Sequence, residues 1–152
     1  TLMKAVELVK RDGYDYLLAV GGGSVIDGTK FIAAGALFDR DPIHIFGAGI
    51  GDKLPITKAL PFGSILTLPA TGSEMNSGGV VTFVEKKAKL GFGSPVTFPQ
   101  FSILDPELTY TLPKRQLANG VIDSFVHIME QYMTYPVGAM VQDRFAEGLL
   151  QT

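Results

Sequence analysis

Apolar residues Leu2, Val6 and Val9 recur at helical spacing and predict an amphipathic helix over residues 1–11, ended by the turn signal Asp12-Gly13. Tyr16-Leu17-Leu18-Ala19-Val20 is an unbroken apolar run of the length expected for a buried parallel strand. Gly21-Gly22-Gly23-Ser24 interrupts it. A second helix then runs through about Phe38, with Val25, Thr29, Ile32, Ala33 and Ala36 expected to face inward. Helix, strand, glycine loop and helix in succession set the rhythm of an α/β domain.

Residues 39–57 read as loop, with Pro42, Gly47, Gly49, Gly51 and Pro55. Residues 62–68 predict a second buried strand, followed by a polar turn and a short helical piece. Val80 to Val84 and Leu90 to Gly93 bracket the charged turn 85–89 as a β-hairpin. Residues 101–104 form a last strand, stopped by Asp105-Pro106. Beyond Thr111 only helices are expected, with Pro113 in a first turn, Thr111 near the cap, and breaks near Gly120 and at Tyr135-Pro136. The predicted organisation is an α/β unit over residues 1–110 and the first helices of a helical unit over 111–152.

Composition narrows the function classes. At 152 residues and 46% hydrophobic content the chain can bury a core. Thirteen basic against fifteen acidic residues leave no basic stripe for a nucleic-acid partner. No apolar run is long enough for a membrane helix, and no signal peptide is visible. The absence of cysteine excludes disulfides, thiolate metal ligands and a thiol nucleophile within this sequence, and fits a cytoplasmic protein. A start at Thr1 inside a helical pattern, and an end just after another, lead to the expectation of an internal segment of a longer protein.

Three places carry candidate chemistry. A strand entering Gly21-Gly22-Gly23-Ser24 and then a helix makes an anion site, because glycines admit a close phosphate and the helix start carries partial positive charge. Ser24 can cap that helix or donate its hydroxyl to a phosphate. The segment is neither the dinucleotide fingerprint nor a Walker A loop, and a tight turn between strand and helix explains the glycines equally well. Thr67-Leu68-Pro69-Ala70-Thr71-Gly72-Ser73-Glu74 follows the second strand, so both loops lie at carboxyl ends of strands, where α/β sheets bind ligands. Here a Thr71–Glu74 capping box is the favoured reading. Asp123 and His127 stand four apart on one helix face, a spacing that can grip one divalent ion. Their apolar neighbours place them near a core, and a plain Asp–His hydrogen bond remains the alternative. Two ligands do not close a metal site, and His44 lies in a loop without supporting pattern.

The segments Gly21 to Asp27, Leu68 to Glu74, Leu104 to Pro106 and Gly120 to Glu130 occur in an order that resembles the iron-containing (group III) alcohol dehydrogenases, above all the NADPH-dependent butanol dehydrogenase and broad-range aldehyde reductase branch. The resemblance covers essentially the whole chain. It implies an α/β fold: a partial Rossmann-like nucleotide-binding domain followed by the start of an all-helical domain. It implies that Gly22, Gly23 and Ser24 hold the cofactor pyrophosphate and that Asp27 lies near the nicotinamide, with a possible catalytic part. It implies that Thr67, Thr71 and Asn76 line the nucleotide site and that Lys89 reaches the cofactor ribose. Asp123 and His127 match the first two of four metal ligands, the others being histidines absent from this sequence. The implied activity is hydride transfer between NAD(P)(H), with NADP(H) favoured over NAD(H), and a primary alcohol or aldehyde, with one Fe2+ or Zn2+ ion, in a cytoplasmic homodimer; the residues that choose between the two cofactors lie upstream of this sequence. The 152 residues alone are expected to be inactive. The competing readings are a glycerol-dehydrogenase-like or dehydroquinate-synthase-like enzyme and a non-catalytic nucleotide-binding module.

Overall fold

The computed structural model describes residues 1–134 and 137–152, so the expected break at Tyr135-Pro136 lies outside the described residues. The chain divides into two compact units, Thr1–Tyr110 and Thr111–Thr152.

In the first unit, helix α1 (Leu2–Asp12) buries Val6 and Val9, as its spacing requires. Gly13, with φ 69°, ends it in the left-handed conformation that glycine tolerates best. Strands β1 (Leu17–Gly22), β2 (Phe62–Leu68) and β5 (Phe101–Ile103) form a parallel sheet with β2 in the centre. Strands β3 (Gly78–Phe83) and β4 (Ala88–Gly93) form the expected antiparallel hairpin.

Helix α2 (Gly23–Ala36) organises the core. On one side Ile26 and Ala33 pack with Ala19, Phe62 and Leu66 of the sheet. On another, Phe31 and Ala34 pack with Val6, Ile45, Phe46 and Ile56, backed by Val81, Phe83, Leu90 and Phe92 of the hairpin. Phe46 is the hub: its ring centroid lies 5.5 Å from Phe31, 4.9 Å from Phe83 and 5.6 Å from Phe92. Burying such a side chain stabilises by about 1.5–3 kcal/mol, and edge-to-face partners add to that. It thereby anchors the otherwise irregular stretch between α2 and β2.

Several expectations are corrected. Val25 is exposed rather than inward, because α2 is enclosed on two sides and its buried set is Ile26, Phe31, Ala33 and Ala34 instead of one stripe. No loop separates β1 from α2: Gly21 and Gly22 stay paired to Leu66 and Leu68 across a register shift, and Gly23 is already helical. Strand β1 is buried on one face only. Ala19 is enclosed, whereas Leu18 and Val20 are exposed, as are Phe101 and Ile103 of β5. Alternating side chains put these four away from α2, and among the described residues no layer covers them.

The second unit contains α3 (Lys114–Tyr132) and α4 (Met140–Leu150), joined by a hydrogen bond from the Tyr132 hydroxyl to Glu147 Oε1 at 3.1 Å. α3 runs through Gly120 without a break, since one glycine costs a long helix only about 1 kcal/mol. Pro113, with φ −58° and ψ 140°, takes the cap position expected near Thr111. Neither helix buries a residue. Asp123 and His127 are therefore exposed, not near a core, because two helices cannot enclose their own apolar faces.

Candidate functional site

The abrupt passage from β1 into α2 makes the first feature of the site. Gly22 is the N-cap, with extended backbone, and no side chain caps the helix, so Ser24 is not the cap. The first amides of α2 are left without intrahelical partners, at the end where the helix dipole favours negative charge. A Cβ at Gly23 would lie 2.9 Å from Thr71 Cβ and closer still to the ends of that side chain, so only glycine lets the two segments meet here.

Gly23, Ser24, Asp27, Thr71, Asn76 and Lys89 all line one cleft of about 640 Å3, between the start of α2, the 71–76 turn and the hairpin. Of the other two residues expected in a nucleotide site, Gly22 caps the helix beside the cleft and Thr67 is half-buried on β2, and neither lines it. The expected Thr71–Glu74 capping box does not form. Gly72, with φ 66°, occupies the cap of the short turn Ser73–Met75. Thr71 Oγ1 instead donates to Ser73 Oγ at 2.8 Å and accepts from the Ser73 amide at 3.2 Å.

Asp27 lies one turn beyond Gly23. It is 9% exposed; its Oδ2 accepts from the Val80 amide at 2.9 Å, while its Oδ1 has no partner among the described residues. An orphaned carboxylate oxygen at a cleft wall is an acceptor waiting for a donor. One turn further sits Lys30, which the sequence reading passed over. It is fully buried, and its ammonium donates to Asn76 Oδ1 at 2.9 Å and to the Gly78 carbonyl at 2.6 Å. Burial pushes Lys30 below its usual value, and the charges of Asp27 and Glu74 oppose that shift. The available signal was a lone lysine inside an apolar helix, three residues from an aspartate. Chemically, the cleft offers helix-start amides for an anion, a free carboxylate oxygen for a hydroxyl or amide donor, and the exposed Lys89 cation. That set suits a nucleoside diphosphate.

On α3, Asp123 Oδ2 lies 3.6 Å from His127 Nε2, and Glu130 Oε1 lies 3.0 Å from His127 Nδ1. Glu130, and then Asp123, hold the exposed His127 imidazole above its usual pKa. In the neutral ring, a hydrogen bond from Nδ1–H to Glu130 leaves the Nε2 lone pair on the Asp123 side. This is the orientation a metal-ligating histidine needs. The two donors fit one side of a divalent-ion site, but among the described residues no group of three or more such side chains converges to complete it. His44 lies in the turn Pro42–Ile45, its Nδ1 3.0 Å from Asp52 Oδ2.

Comparison with known proteins defines the class: residues 1–106 match the iron-containing alcohol dehydrogenases, and the chain belongs to that family. Over its full length the chain is 56% identical to the NADPH-dependent aldehyde reductase YqhD of Escherichia coli and 51% identical to a probable NADH-dependent butanol dehydrogenase of Bacillus subtilis. It spans 39% and 38% of those two proteins. The crystal structure of YqhD superposes on 98% of the chain with a TM-score of 0.87 at 54% identity, the chain covering 38% of it. The butanol dehydrogenase A of Thermotoga maritima superposes on 99% with a TM-score of 0.85 at 39% identity, with 36% of its length covered. These likenesses bear out the resemblance read from the sequence and the Rossmann-like α/β fold.

Proposed function

We propose that the whole protein is a metal-dependent alcohol dehydrogenase or aldehyde reductase acting on a primary alcohol or aldehyde. Residues 1–110 belong to its nucleotide-binding domain and 111–152 open its metal-binding domain. The observation that carries this reading is the start of α2, where Gly23 abuts Thr71 and the free helix-end amides border the cleft that Asp27 enters. When bound, the nicotinamide dinucleotide supplies the hydride and the divalent ion, Fe2+ or Zn2+, supplies Lewis-acid polarisation of the substrate oxygen.

This chain's own residues bind and orient. The Gly23 and Ser24 amides hold the diphosphate, and Lys89 adds a cation toward the ribose. Asp27 Oδ1 accepts a hydrogen bond from a hydroxyl or carboxamide donor of the cofactor, which anions at the helix start could not offer it. Asp123 and His127 hold the ion, and Glu130 keeps the imidazole in the ligating tautomer. NADP(H) is the proposed cofactor, because the relative at 56% identity is named NADPH-dependent. The test is turnover of butanal by the purified whole enzyme, followed through oxidation of NADPH and of NADH. Faster turnover with NADPH is expected, and a divalent-metal chelator should abolish it. An enzyme that keeps its full rate after complete metal removal does not work as proposed.

A further inference from the structure

Asn76 has its amide oxygen doubly occupied. Oδ1 accepts from Lys30 Nζ at 2.9 Å and from the Gly78 amide at 3.0 Å. Both acceptor positions of that oxygen are filled, so Nδ2 is turned the other way. Asn76 lines the cleft, and its Nδ2 makes no hydrogen bond among the described residues. Flipping the amide would set Nδ2 against an ammonium and a backbone N–H, donor against donors. Lys30 itself is completely buried and does not line the cleft. A buried ammonium is expensive to keep unless its hydrogen bonds do something an apolar side chain cannot.

We propose that Lys30 is a positioning residue for the nucleotide: by donating to Asn76 Oδ1 it fixes that amide so that Nδ2 presents its protons to the cleft, where they bond an acceptor oxygen of the cofactor. This rests on the nucleotide-cleft reading above. The ammonium also bonds the Gly78 carbonyl, so the same group ties the wall of the cleft at β3 to α2. The negative charges of Asp27 and Glu74 support the cation.

The test is a double-mutant cycle in the whole enzyme, with Lys30→Met, Asn76→Ala and both together. NADPH dissociation constants are measured by titration, kcat at saturating cofactor, and unfolding temperature. Each single variant is expected to weaken binding about tenfold, which corresponds to about 1.4 kcal/mol. The double variant should bind no worse than the weaker single one. Wild-type affinity in Lys30→Met with only a lowered unfolding temperature overturns the proposal, as do losses that multiply. Should Lys30→Met not fold, Asn76→Asp decides. It keeps acceptors for Lys30 and Gly78 but removes the donor and adds a negative charge, so weakened binding that persists at high salt in a fully stable protein supports the proposal, and unchanged binding or a loss that high salt abolishes overturns it. Gly23→Ala separates the two levels. If it too leaves affinity unchanged, the cleft reading itself fails. If it weakens binding while Lys30→Met does not, only the role of Lys30 is lost.

Discussion

Asp123→Ala in the whole enzyme is expected to lose its divalent ion and, with it, turnover on the order of a thousandfold or more. That figure follows from the several kcal/mol a Lewis acid contributes, at about 1.4 kcal/mol per tenfold in rate. Asp123 supplies a hard anionic oxygen 3.6 Å from His127 Nε2. Without it the imidazole keeps its Glu130 hydrogen bond but loses the anionic donor on its own helix. His127→Ala should behave alike, whereas Glu130→Gln, which leaves both donors in place, should weaken metal affinity only about 10–100-fold. Elemental analysis of metal content beside initial rates checks this. Retention of stoichiometric metal in Asp123→Ala would remove that residue from the ligand set. Nucleotide affinity should stay at the wild-type value, because the cleft is built entirely within residues 1–110.

Gly23→Ala is expected to weaken NADPH binding about tenfold or more, or about 1.4 kcal/mol. Two effects oppose each other at this position. Alanine in a helix is ordinarily favoured over glycine by up to about 1 kcal/mol. Here, however, the new Cβ lies 2.9 Å from Thr71 Cβ, so the whole of Thr71 must move and not merely rotate. Overpacking of this kind costs about 1–3 kcal/mol, and it opens the turn that borders the diphosphate site. The collision therefore outweighs the propensity gain. Gly148→Ala in α4, where an added Cβ meets nothing within 4 Å among the described residues, is the control and should be neutral or slightly stabilising. Calorimetric titration with NADPH, paired with thermal unfolding, separates the two effects. Unchanged affinity in Gly23→Ala would show that the start of α2 does not carry the cofactor.

What could be read from the chain depended on how strongly each segment was constrained locally. β2 and the hairpin were legible because Phe62, Ile65, Leu66 and Leu68 make residues 62–68 mostly apolar and the charged turn separates two short apolar-rich runs. The phase of α2 was not. Periodicity assumes one buried stripe, whereas α2 is enclosed by both sheet and hairpin. The same assumption hid Lys30, since a lysine in a helix is ordinarily placed on a solvated face. Gly21 and Gly22 looked like loop because glycine weakens strands, yet pairing to Leu66 and Leu68 keeps them extended. Asp27, Thr71, Asn76 and Lys89 come from three separate segments: α2, the 71–76 turn and β4. Their presence on one cleft is a property of α2 lying against β3 and β4, which local sequence cannot convey. Resemblance to ordered family motifs supplied what spacing alone did not.

The most direct measurement is a crystal structure of the whole enzyme grown with NADPH. Diphosphate oxygens within hydrogen-bond distance of the Gly23 and Ser24 amides, with Asp27 Oδ1 accepting from a neutral donor of the cofactor, are the predicted result. A diphosphate seated elsewhere, leaving those amides to water and the Asp27 oxygen still alone, would contradict the assignment.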